Sequence, residues 1–114
     1  MVNSNFDPKE LEEWWHKQAA KEVEPVMKKL VEYGGQGRAV DLVDIGMDLA
    51  RMMKWEVTEA EAAEIGIYFY LRGKMGRWIA ALSEKRMVSD DTLYDIGIYV
   101  RMVQRIRDKG GWPL

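Results

Sequence analysis

At 114 residues the chain is long enough for one domain with one core and short for two. A hydrophobic fraction of 47% and a charged fraction of 32% exclude a disordered chain. The formal net charge of −2 gives no general pull toward nucleic acid or an anionic membrane, and the absence of cysteine excludes disulfides and thiolate metal sites.

The opening MVNSNFDPKE has no basic segment followed by an apolar run, so no signal peptide is expected, and a cysteine-free chain fits the cytoplasm. Residues 1–6 read as a flexible tail. Asp7 is then a good N-cap, Pro8 sits at the first helical position, and Glu10 completes a capping box. Phe6 and Leu11 are spaced for a hydrophobic staple. The first helix is expected to run to about Tyr33, with a kink or break near Pro25. Its apolar positions Leu11, Trp14, Val23, Val26, Met27 and Leu30 recur at helical spacing. The adjacent Trp14 and Trp15 point about 100° apart, one toward the core and the other toward a partner or second layer, with core packing the default for both. His16 beside them reads as a surface residue, because a single histidine without a second His or Cys makes a poor zinc site.

Gly34-Gly35-Gln36-Gly37 reads as a turn that closes this helix, since it lacks the Lys-Ser/Thr of a phosphate loop. A second helix is expected from about Ala39 to Met53, with Leu42, Ile45, Leu49, Met52 and Met53 inward. Asp41, Asp44 and Asp48 share its outer face and read as a solvated acidic row. After the connector Trp55-Glu56-Val57, Thr58 and Glu61 form a second capping box that opens the central stretch.

That stretch, Ile65 to Leu82, is apolar on nearly every side and predicts a helix buried in the middle of a bundle. Arg72, Lys74 and Arg77 interrupt it, so it is not a membrane span. Charges on a buried helix are costly unless paired, solvated or bound to a ligand. Ser89 caps a last helix that runs to about Asp108. One stripe of it is Leu93, Ile96, Val100 and Val103; the other is Ile98, Tyr99, Met102 and Ile106, with Asp91 and Asp95 on that second side. Two apolar sides suggest contact with its own bundle and with a second subunit. Arg101, Arg105, Arg107 and Lys109 suit the helix C-terminus. Residues 109–114 read as a tail from which Trp112 docks back. The expected fold is all-α: a single domain over 1–114, a bundle of four main helices with the first kinked at Pro25.

Glu64, Lys74, Arg77, Asp91 and Asp95 are the charges placed to meet between the central and last helices. Together they suit either internal pairing or a Mg²⁺ ion beside a phosphate held by Lys74 and Arg77.

The run Gly73-Lys74-Met75-Gly76-Arg77, followed by Asp91-Thr92-Leu93-Tyr94-Asp95-Ile96-Gly97-Ile98-Tyr99, resembles phage-encoded MazG-like domains of the all-α NTP pyrophosphatase superfamily. Tyr33-Gly34 upstream also fits their pattern. The resemblance implies a Mg²⁺-dependent hydrolase that acts on nucleoside or deoxynucleoside triphosphates. It implies metal ligands at Glu61, Glu64, Asp91 and Asp95, and phosphate contacts from Lys74 and Arg77. It also implies a dimer or higher homo-oligomer. The full family pattern has Glu-Glu-x-x-Glu where this chain has Glu61-Ala62-Ala63-Glu64. The other reading is a catalytically inactive helical protein that binds a host partner or itself, motivated by eight methionines and five tryptophans. Nucleic-acid binding through Arg101, Arg105 and Arg107 is the weakest reading, since the cluster is short and the chain slightly acidic.

Overall fold

A computed structural model describes residues 6–32 and 39–112. It contains four helices: α1 (Pro8–Glu32), α2 (Ala39–Met53), α3 (Glu59–Ser83) and α4 (Asp90–Lys109). They account for 84% of the described residues, among which there is no strand. The all-α, four-helix expectation therefore holds. No helix among the described residues is long and apolar enough to cross a membrane. The Gly34–Gly37 turn lies outside the described residues, as does Tyr33.

The helix ends follow the sequence signals. Asp7 Oδ1 accepts from the Lys9 N–H at 3.0 Å and caps α1. The Thr58 hydroxyl accepts from the Glu61 N–H and the Glu61 carboxylate accepts from the Thr58 N–H, both at 3.1 Å. Ser89 caps α4, and Gly110 closes it with a left-handed φ of 86°. The α1 helix passes through Pro25 without a break. A proline removes one backbone donor, and the chain stays helical on both sides of it.

Two helix pairs carry the packing. In α2 against α3, Gly46 lies on Ala62 and Gly66 lies on Leu42, so the two helices run antiparallel with their backbones close together. In α3 against α4, Tyr70 stacks on Tyr99 with ring centroids 5.9 Å apart, and these helices are antiparallel too. The core is Leu42, Ala63, Ile67, Tyr99, Met102 and Ile106, with Trp112 folded back against it. By contrast, among the described residues the backbone of α1 comes close only to that of α4.

Three sequence expectations need correction. The inner face of α2 is Leu42, Gly46 and Ala50, while Met52 and Met53 are exposed. Backbone proximity selects the small residues, and the long methionines fall outside the contact. Only the N-terminal half of α3 is buried, at Ala62, Ala63, Gly66 and Ile67; beyond Lys74 the helix is exposed except at Ala81. Neither Trp14 nor Trp15 enters the core. They meet edge to face at 6.4 Å, 51% and 60% exposed.

These exposed faces give the chain an open shape. Its radius of gyration is 17.1 Å, against about 13 Å for a compact domain of this length. It exposes 9211 Å², against about 6400 Å² for a compact monomer of its mass.

Candidate functional site

Three of the charged residues singled out in the sequence, Glu64, Lys74 and Asp95, lie at the α3/α4 interface, where with Arg107 they form two rungs. At one end Arg107 Nε and Nη2 donate to the two oxygens of Glu64 at 2.7 and 2.8 Å. At the other end Lys74 Nζ donates to Asp95 Oδ2 at 2.8 Å. The Tyr70–Tyr99 stack lies between them. Antiparallel pairing of α3 with α4 produces this order, since each step back along α3 advances one step along α4. A fork of two parallel N–H···O bonds also fixes geometry more tightly than a single lysine contact.

The remaining candidates stand apart from these rungs. Glu61 is engaged in the α3 cap. Asp91 is exposed in the first turn of α4, beside the Ser89–Thr92 cap. Arg77 is exposed on α3 and has no ion-pair partner among the described residues. The acidic row Asp41, Asp44 and Asp48 is exposed, as expected, with Asp48 joined to Arg51 at 3.1 Å. His16 lies on the surface, 3.6 Å from Glu12.

No group of three or more His, Asp or Glu among the described residues is placed to hold a metal ion. The four carboxylates as they stand do not fit Mg²⁺. It takes oxygen ligands converging in octahedral geometry, whereas Glu64 and Asp95 each face a cation and Glu61 faces backbone. This is the internal-pairing arrangement, with Arg107 in place of an α3 cation as the partner of Glu64. Spacing gave no hint of that partner, because 43 residues separate the two.

The Arg107 hydrogen bonds hold the Glu64 carboxyl below its ordinary pKa of 4.5, against a smaller opposing effect of burial. A lowered carboxylate pKa contributes stability above the unfolded value and loses it as pH falls through the folded value. The same hydrogen bonds push the Arg107 guanidinium above its ordinary value, and it stays charged throughout. The stability difference between wild type and Glu64→Gln should be constant above about pH 5.5 and vanish in acid. Urea unfolding at several pH values checks this, and a difference that persists in acid would assign the role of Glu64 to packing.

Asp95 and Asp91 separate in the same way. Lys74 is 17% exposed at its side chain. Asp95→Ala leaves that ammonium half-buried without its partner and should cost about 1–2 kcal/mol, below the 3–5 of a fully buried pair. Asp91→Ala, at an exposed position, should stay within about 0.5 kcal/mol of wild type. Denaturant melts of both variants make the comparison.

Two clefts adjoin the rungs. An open one of about 980 Å³ is lined by Lys54, Trp55, Glu61, Glu64 and Arg107, among others. A smaller one of about 220 Å³ lies between α1, α3 and α4, lined by Lys29, Lys74, Asp95, Tyr99 and Trp112.

The larger unpartnered feature is apolar. Tyr68, Leu71, Met75, Trp78 and Leu82 alternate in steps of three and four along α3, the spacing of a coiled-coil seam. Apart from Leu71, which is half-buried, all are exposed. Sequence reading missed this seam because the opposite side of the helix is apolar as well. The chain matches no protein-family model, no curated protein and no solved structure.

Proposed function

We propose that the protein is a non-catalytic helical interaction protein that assembles with itself. One observation carries this reading: the isolated chain leaves whole apolar helix faces uncovered. Monomers rarely expose contiguous apolar patches of more than a few hundred Å². Here Phe6, Trp14 and Trp15 on or beside α1, and Met75, Ile79 and Leu82 on α3, are all exposed. The excess over a compact monomer is roughly 2700 Å². That is of the order one subunit gives up in a large obligate interface, roughly 1000–2500 Å² per partner. The charged residues between α3 and α4 then have a structural task, which is to hold the protomer in the shape that presents these faces. Sedimentation velocity over a range of protein concentrations tests the reading. Dimers or larger species at micromolar concentration are expected, and a monomer throughout would overturn it.

A second reading is favoured by the larger cleft. Glu61 and Glu64 line it together with Lys54, Arg107 and Trp55, a set able to meet phosphates and a flat base. It is the MazG-like reading, in which the protein is a Mg²⁺-dependent nucleoside triphosphate pyrophosphatase. Glu64 would have to exchange Arg107 for the metal. Thermal unfolding with NTPs and dNTPs, each with and without Mg²⁺, decides between the two, because a ligand of the folded state raises the midpoint. The first reading expects no Mg²⁺-dependent rise for any nucleotide. A rise for one of them, abolished in Glu64→Gln, would favour the enzyme.

A further inference from the structure

We infer that the N-terminal half of α1 from one copy of the chain lies over the C-terminal half of α3 in a second copy. This rests on the self-assembly reading and names the surfaces that perform it. Three observations carry it.

The first is that both faces are unpartnered in their own chain. The side of α1 that is half-buried at Glu22, Val26 and Leu30 continues toward the N-terminus through Leu11 and Trp15, which are exposed. Glu22 reaches Arg101 of α4 at 3.9 Å, and the helix makes no backbone approach to α3. The α3 seam has nothing over it beyond Lys74. A seam spaced in threes and fours accepts one further helix, and α1 presents a matching apolar stripe.

Charge is the second. Residues 7–24 carry Asp7, Glu10, Glu12, Glu13, Glu22 and Glu24 against Lys9, Lys17 and Lys21, a net −3. Residues 72–86 carry Arg72, Lys74, Arg77, Lys85 and Arg86 against Glu84, a net +4 that falls to +3 once Lys74 is matched by Asp95 of α4. Arg72 and Arg77 have no ion-pair partner among the described residues. Laying α3 on α3 would oppose two basic segments, whereas laying α1 on α3 opposes unlike charges, which also fixes register.

The third is length and area. The helical part of α1 before Pro25 spans about 25 Å and the α3 seam about 21 Å, at 1.5 Å per residue. Exchanged reciprocally about a twofold axis, the pair would cover both faces in each copy. Two such contacts double the surface that one would cover.

The absence of cysteine allows a clean test. Glu12→Cys and Arg72→Cys place thiols beside the two stripes without removing an apolar contact. The two single variants are mixed and treated with a short bismaleimide. The expected product is the mixed dimer, in excess over either homodimer. A dimer in solution that yields only the Arg72→Cys homodimer, or no cross-link, would overturn the inference and leave self-assembly standing. A monomer would overturn both. Ile79→Glu gives a second readout. Ile79 is 65% exposed, so its helical circular dichroism should be retained while sedimentation shifts to monomer. A dimer that survives Ile79→Glu would also overturn the inference.

Discussion

Gly46→Ala should lower the unfolding free energy by about 3 kcal/mol, the upper end of the usual cost of overpacking. A Cβ at Gly46 would run into the Ala62 carbonyl and stand 2.8 Å from Ala62 Cα. The obstacle is helix backbone, which cannot swing aside as a long side chain would. Alanine is the better helix former by about 1 kcal/mol, so propensity opposes the clash and loses. Gly66→Ala meets Leu42 in the same way, with its carbonyl carbon 2.8 Å from the new Cβ. Gly97 is the control, because a Cβ there meets nothing within 4 Å. Gly97→Ala should therefore keep the propensity gain and stabilise by up to about 1 kcal/mol. Urea melts followed by circular dichroism give all three values. If Gly46→Ala were as stable as wild type, the α2/α3 pair would have to be spaced widely enough to admit a Cβ between Gly46 and Ala62.

The same glycines explain why part of the fold was legible in the sequence and part was not. Caps are local, and Thr58–Glu61 and Ser89 stand where their spacing put them. The two-sided character of α4 was legible too: Tyr99, Met102 and Ile106 are buried, while Leu93 and Val100 on the other stripe are exposed. Periodicity finds apolar faces, but it does not say what covers them. An exposed apolar face has the same composition as a core face, so the far half of α3 and the tryptophans of α1 read as buried. Gly46 and Ala50 contribute little to an apolar stripe, yet they form the closest contact because they are small. The candidate site divides along the same line. Residue types and the α3/α4 location were legible. The pairing of Glu64 with Arg107 was not, since it follows from helix register over a long loop of chain.

Ile67→Ala and Ile79→Ala remove the same atoms from the same helix and should behave as opposites. Ile67 is fully buried where α2 and α4 close on α3, so truncating it should cost about 2–5 kcal/mol through lost transfer energy and a residual cavity. That loss belongs to the protomer and should appear at every protein concentration. Ile79 is exposed in the protomer, so at dilutions where copies separate Ile79→Ala should match wild type within about 0.5 kcal/mol. At higher concentration, wild type should gain stability by mass action, and Ile79→Ala should gain less, because the face it weakens is the one the second copy covers. Unfolding midpoints measured at two well-separated protein concentrations distinguish the two. Were Ile79→Ala as damaging in dilute solution as Ile67→Ala, the far half of α3 would be packed within its own chain. The uncovered surface from which self-assembly is argued would then not exist.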